Sequence, residues 1–340
     1  MSGSQRWRRR PEGSTWGDFG ADDQLGSLNH ITPEAVLRAV RSVTEGRRFC
    51  LSLPLDYPGG SALAPHRGPP ELTAGTRRGR PYYNYSFREE APGCGDVGCD
   101  DRVSLSPQYS TQWDGLAHIG QEFDLLDDGR PRPCYYNGYQ AGSDVLPPGA
   151  RPEGYVLPLG VDAMAATPIQ GRGLLLDLAH HYGRAKRELG FREIERVLAC
   201  DGLSVEPGDL LCLHTGFADE LLKMGRKPDP ARLHGICAAL DGRDRRLLDW
   251  IAETRIAAIA ADNFAVERVG LPPAAEGEPA FVPLHRHCLF RLGLPLGELW
   301  HLTPLAAWLR AAGRFHFLLT APPLRLPGAV GSPVTPVATV

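Results

Sequence analysis

The chain lacks any apolar run near the roughly 20 residues that cross a bilayer, so no membrane helix is expected. It also lacks an excess of basic charge. Its 37 Lys and Arg stand against 40 Asp and Glu, a net charge of −3, and this excludes the positive field that holds nucleic acid or an anionic membrane. No glycine-rich loop follows a strand and opens a helix, so nucleotide binding has no support. There is no Gly-x-Ser-x-Gly elbow of the serine hydrolases. The stretch Met1 to Pro11 is polar and Arg-rich with no apolar core, unlike a signal peptide. A disordered or arm-like N-terminus over residues 1–15 is expected.

The eight cysteines, Cys50, Cys94, Cys99, Cys134, Cys200, Cys212, Cys237 and Cys288, are scattered. With no secretion signal beside them, they read as reduced thiols of a cytoplasmic protein. Cys94 and Cys99 flank a Gly/Asp loop, but no second pair at finger-like spacing accompanies them, and the zinc signal is weak. Cys50 and Cys212 lie in apolar runs and read as core residues rather than nucleophiles.

What is present is an ordinary globular composition, 42% hydrophobic and 23% charged over 340 residues, enough for one large domain. Glycine (39) and proline (31) are plentiful, which predicts a fold rich in loops ordered by turns. The first clear helix starts at Thr32, a capping residue followed by Pro33 and Glu34, with Val36, Leu37, Val40 and Val43 at helical spacing. Residues Pro58 to Pro81 read as one long Gly/Pro/Arg loop, an active-site cover or interface arm. Its arginines, Arg67, Arg77, Arg78 and Arg80, either meet a carboxylate or are merely solvated, and solvation is the preferred reading. Buried strands are predicted at Leu174–Leu176, Leu210–Leu213, Ile256–Ala260 and Phe315–Leu319. Helices are predicted over Arg243–Arg255 and from Thr303 to Gly313. Strands mixed with helices give an α/β or α+β class. With no repeat or linker, residues 16–340 are expected to form a single domain.

The densest polar cluster is Ser110 to Gly120. Asp114 and His118 lie four residues apart among glycines, and Gly115 permits close backbone approach to a ligand. Asp114 suits a metal or the orientation of a base; His118 suits the base itself, because imidazole titrates near neutral pH. A surface turn with a hydrogen-bonded Asp and His explains the same spacing. Far downstream, His285, His287 and Glu298 surround an apolar stretch. His285 and His287 share a face in a strand but not in a helix. Asp262 and Asn263 end a buried strand, where polar residues face a crevice or simply terminate the strand. His180, His181 and His214 also follow predicted strands.

In order along the chain, several segments resemble the putative cyclase family, which also contains kynurenine formamidases and isatin hydrolases. They are Trp16-Gly17 with Asp22 to Asn29, Ser110 to His118, Tyr135-Tyr136-Asn137-Gly138, Gly173 to Asp177, Glu206 to Asp209, Leu284-His285-Arg286, and Pro295 to Glu298. The resemblance implies an α/β fold with a swivelling β/β/α core, here carrying long loop insertions, and a homo-oligomer. It implies hydrolysis of an amide or lactam, or a role in aromatic polyketide pathways. The family's central motif runs His-x-Gly-Thr-His-x-Asp-x-Pro-x-His, its Asp and His residues serving a divalent metal and its last His acting as base. Position by position, Asp114 matches the metal-ligating Asp, His118 the base, His285 the downstream His and Glu298 the downstream Glu.

The departures are Gln108 and Gln112 at the first two His positions and Leu116 at the Pro position. An amide oxygen is a poorer ligand than imidazole for zinc. Two enzyme readings stay open. In one, Asp114, His285 and Glu298 hold a single divalent metal, zinc or manganese, and His118 takes a proton from water to hydrolyse an activated amide, lactam or lactone. In the other the protein is a metal-free cyclase or dehydratase of polyketide-type secondary metabolism, with His118 as base and Glu298 or His285 as acid. Trp113 and Tyr136 would wall a flat substrate, and Gln108 and Gln112 join them as substrate-binding candidates. A third reading is a non-catalytic relative that binds a ligand.

Overall fold

The computed structural model of the chain describes residues 5–272 and 279–340. A nine-stranded mixed sheet runs through it. In chain order its strands are β1 (Arg48–Cys50), β2 (Gln112–Asp114), β3 (Gln170–Asp177), β4 (Leu210–His214), β5 (Ala258–Ala261), β6 (Leu296–Glu298), β7 (His316–Thr320), β8 (Gly331–Pro333) and β9 (Val337–Thr339). Their spatial order is β1-β9-β7-β3-β4-β5-β6-β2-β8. The central four, β3 to β6, are parallel, and the strands on either side are antiparallel. Strand β8 lies at one edge and β9 next to the other, yet only residues 334–336 separate them. A link that short reaches about 10 Å, so the sheet must curl until its edges approach.

Strict alternation along the strands builds two cores. Leu174, Leu176, Leu211, Leu213, Ile259 and Leu296 join one cluster with the helices Phe191–Cys200 and Arg245–Thr254. Leu175, Leu210, Cys212, Ala258, Ala260, Phe317 and Ala338 join the other, inside the curl, with Trp113 and Trp300. Both faces of the central strands are therefore covered, and this is why they read as continuous apolar runs.

The N-terminal stretch expected to be an arm is instead anchored over its described residues. Trp7 is buried edge-on against Trp16, and the Arg8 amide donates to the Leu125 carbonyl at 2.7 Å. Large aromatic area that finds a core outweighs the entropy of a tail. The loop expected over 58–81 is also partly sheet: Glu71–Arg77 pairs with Arg80–Tyr82 and with Asp101–Ser104. Arg77 and Arg78 meet Glu90, and Arg80 meets Glu89, so these three are paired rather than merely solvated. Cys50, expected in the core, is exposed on β1.

Candidate functional site

Asp114 ends β2 and Glu298 ends its antiparallel neighbour β6. Their register sets Glu298 opposite Gln112 and Leu296 opposite Asp114. Because side chains alternate, Gln112, Asp114 and Glu298 share one face while Trp113 and Gly297 take the other. This corrects the expected role of Trp113 as a substrate wall. Its ring packs edge-on to Trp300 with centroids 5.0 Å apart, and its Nε1 donates to the Ala321 carbonyl at 2.7 Å. Gly297 leaves the room: a Cβ there would stand 2.8 Å from Trp300 Nε1 and 3.1 Å from the Trp113 ring.

His285 arrives from the far side on the short helix Pro283–His285, which continues into a π-helical turn, Arg286–Leu292. Its Nε2 lies 3.3 Å from Glu298 Oε1 and 4.0 Å from Asp114 Oδ2. His118, in the turn after β2, places its Nε2 3.8 Å from Asp114 Oδ1. The two stretches of chain singled out in the sequence thus meet in one place. His287 does not join them. Two residues along a helix turn about half a circle, and its buried ring faces Leu248 and Arg291; burial and then the Arg291 charge push its pKa down to about 4.

One residue at the centre of the geometry has no signal in the sequence. Glu267 is fully buried, and its Oε1 accepts from His285 Nδ1 at 2.8 Å and from the His285 amide at 2.9 Å. Its other oxygen accepts from the Leu284 amide at 3.0 Å. It stands at the end of a loop in which Ala265 and Val266 both take positive φ. That conformation is costly for a β-branched residue and is held only where the surroundings impose it.

Charge is distributed unequally. Burial raises the Asp114 pKa, and the nearby Glu298 carboxylate adds to this against the pull of His118. Burial also pushes Glu298 up, but the His285 hydrogen bond and charge, helped by Arg67, hold it below its ordinary value. Burial pushes His285 down, yet Glu267 and Glu298 outweigh it and bring the ring to about 10. His285 and Arg67 are therefore the groups whose positive charge acts on the two carboxylates.

Three buried oxygens here have no hydrogen-bond partner among the described residues: Asp114 Oδ2, Glu298 Oε2 and Gln112 Oε1. Each such acceptor costs about 1–3 kcal/mol. Asp114, His285 and Glu298 also form the one group among the described residues whose three ligand atoms lie within 4.8 Å of one another. Two carboxylates, an imidazole and unanswered lone pairs fit a divalent cation. Cys94 and Cys99 belong to no such group; their sulfurs lie near Asp96 and Asn84.

The remaining sequence candidates divide. Gln108 Nε2 sits 3.3 Å from His118 Nδ1, and Gln112 Nε2 donates to Asp114 Oδ1 at 3.2 Å; both touch the machinery. Tyr136 does not wall a substrate. It is buried, and its hydroxyl donates to Asp23 at 3.2 Å. Next to it, the Asn137 side chain accepts from the Gly17 amide and donates to the carbonyls of Gly20, Ala21 and Asp23. The Trp16–Asn29 and Tyr135–Gly138 segments are therefore scaffold, holding the N-terminal loop on the core. At Gly115 the closely approaching group is the Val330 carbonyl, which accepts its amide at 2.9 Å. Asp262 is occupied by the amides of Thr215 and Gly216 and the Thr215 hydroxyl. Arg67, expected in solvent, is half-buried and donates to the Gln108 carbonyl at 2.7 Å.

A family model described as Putative cyclase matches residues 51–268, more than half of the length. No curated protein matches. A solved structure described as a novel cyclase is 30% identical, with a TM-score of 0.75 over 96% of this chain and 97% of its own. Isatin hydrolase A from Labrenzia aggregata, solved with benzyl benzoate, is 15% identical with a TM-score of 0.54, covering 86% of this chain and 93% of its own. Isatin hydrolase A from Ralstonia solanacearum is 14% identical with a TM-score of 0.56, covering 90% and 97%. At those identities the likeness is one of fold. The nine-stranded curled sheet is thus the α/β cyclase fold that the sequence motifs implied, and by the family model and the 30% identical relative this chain belongs to the Putative cyclase family.

Proposed function

We propose that the protein is a hydrolase acting at the carbonyl of a small cyclic or aromatic substrate, an activated amide, lactam or lactone, with one divalent metal held by Asp114, His285 and Glu298. The observation that carries this is the convergence of those three ligands on partnerless, buried oxygens. The family and the isatin hydrolase folds support the hydrolytic class. When bound, such a metal polarises a carbonyl or lowers the pKa of water. The chain's own residues do the rest. His118, 19% exposed on its side chain, is the accessible one of the two imidazoles and, in its neutral form, takes the proton from water. Gln108 touches its Nδ1 and orients the ring. Glu267 fixes the His285 ring so that Nε2 faces the two carboxylates. The donor set is richer in oxygen than in nitrogen, which favours manganese over zinc.

A second reading has its own observation. His285 lies between two glutamates, which favour its protonated form, and a buried imidazolium would supply positive charge and an acid without any metal. In that case His118 as base and His285 as acid perform a metal-independent cyclisation or dehydration. Elemental analysis with activity assays decides. A strained lactam, a formyl anilide and a strained lactone are offered to the purified protein. Stoichiometric manganese or zinc, with turnover lost to chelator and restored by the ion, supports the first reading. Full turnover by metal-free protein overturns it in favour of the second, and no turnover of any kind points to a ligand-binding relative. The protein is further proposed to act in the cytoplasm as a homo-oligomer; a monomer in sedimentation equilibrium would refute the latter. Among the described residues no helix is long and apolar enough to cross a membrane.

A further inference from the structure

A cavity of about 470 Å³ adjoins the site, within the usual size for a small-molecule pocket. Phe217, Phe264 and Phe281 supply aromatic rings, and Leu63, Leu233 and Ile236 add apolar surface. Its charged lining is one-sided. Among the described residues, Arg67, Lys186 and Arg268 face Glu267 alone, and the Glu267 carboxylate is already occupied by the His285 ring and two amides. Arg268 is likewise committed, to Glu188 and to the Cys237 carbonyl. Lys186 is exposed and makes no ion pair among the described residues. Arg67 makes none either. One Nη1 hydrogen bond to the Gln108 carbonyl pins the guanidinium and leaves its other donors unassigned. Arg67 also lines a smaller pocket with Gln108 and Phe264, so it stands between the cavity and the residue that touches His118.

We propose that this cavity binds an aromatic carboxylate, with Arg67 as the residue that reads the carboxylate, Lys186 adding charge at the mouth and the phenylalanines stacking on the ring. A planar guanidinium with free donors matches a carboxylate in bidentate fashion, and an apolar surround strengthens the pairing. The anion would then lie one residue's reach from His118, placing the ring's reactive substituent toward Asp114 and His285. The proposal rests on the reading of this site as one that acts on a small molecule, and it extends that reading from a bare carbonyl compound to an anionic aromatic one.

The test uses binding, not turnover, so it is independent of whether hydrolysis is found. Calorimetry on the full-length protein compares 2-naphthoate with its neutral isostere 2-naphthamide. The naphthoate is expected to bind at least tenfold more tightly. Arg67→Met should erase that preference, Lys186→Met should reduce it severalfold, and Arg67→Lys should restore part of it. Equal affinity for the two probes, or binding of neither, overturns the proposal. So does a preference that survives in Arg67→Met, because the carboxylate would then be held elsewhere, for instance by a metal at Asp114. Should Arg67→Met fail to fold, the isostere comparison on the parent and on Arg67→Lys still decides.

Discussion

Glu267 grips His285 at two points, accepting from the ring Nδ1 at 2.8 Å and from the backbone amide at 2.9 Å. The ring therefore cannot rotate, and its Nε2 is committed to the side where Asp114 and Glu298 lie. Replacing the carboxylate by an amide keeps the shape and removes the charge. Glu267→Gln should lower the His285 pKa from about 10 toward its ordinary value, since burial then acts with only Glu298 opposing it. Metal affinity should fall about 10–100-fold. Titration of the ring by NMR and calorimetry with manganese check both numbers; an unchanged pKa would remove Glu267 from the account.

Removal of the accessible imidazole should affect chemistry and spare the fold. His118 is less deeply buried than His285, its side chain 19% exposed against 5%, and it lies against the Gln108 amide and the Asp114 carboxylate. His118→Ala is expected to reduce kcat by about 10²–10⁴-fold with thermal unfolding little changed. Steady-state kinetics on a substrate found by the hydrolase screen, beside a melting curve, make the measurement. Unchanged turnover would take His118 out of the mechanism.

How much of this was legible without coordinates differs strand by strand. The strands β3, β4, β5 and β7 announce themselves as apolar runs closed by turns, and the helix at Pro33–Val40 by its cap, where Thr32 Oγ1 accepts from the Ala35 amide at 3.3 Å. Strands β2, β6, β8 and β9 are three residues each. A period of two cannot be recognised over so short a length, and Ser110–Gly120 reads as a turn although β2 lies inside it. The catalytic candidates were found through ordered motifs, not through periodicity. Aromatic character misled at Trp113 and Tyr136, because a strand's alternation and the Asp23 loop decide where those rings point. Glu267 was invisible: it lies 18 residues before His285, in a strained loop with no sequence pattern to mark it.

The two glutamines offer a gain-of-function test. Gln112 is fully buried, and its amide nitrogen bonds Asp114 while its oxygen goes unmatched. Gln112→His places an imidazole where the family motif has one, beside the same carboxylate. Zinc affinity should rise by about tenfold or more, because imidazole suits zinc better than an amide oxygen does. A competition titration with a zinc chelator reads the change. No gain in affinity would mean that residue 112 does not face the ion.

Outside the site, a buried pair couples stability to pH. His214 Nδ1 lies 2.7 Å from Asp177 Oδ1, with His214 Nε2 3.0 Å from the Thr303 hydroxyl and Arg310 bonded to the other Asp177 oxygen at 2.9 Å. Burial alone would raise Asp177, but His214 and then Arg310 hold it well below the ordinary carboxylate range. Burial alone would lower His214, but Asp177, helped by Asp262, brings it above its ordinary value. The signs follow. The depressed carboxylate contributes stability above its unfolded pKa and loses it as pH falls through the folded value. The raised imidazole contributes below its unfolded pKa and loses it as pH rises through the folded value. The pair is therefore worth most between about pH 4 and pH 6.5, the two unfolded values. Asp177→Asn, which leaves His214 without its bonded anion and Arg310 with Asp201 alone, should cost on the order of 3 kcal/mol in that window and less above it. Urea unfolding of parent and variant from pH 4 to pH 9 measures the difference; a gap independent of pH across that range would show that the two residues are not an ion pair in solution.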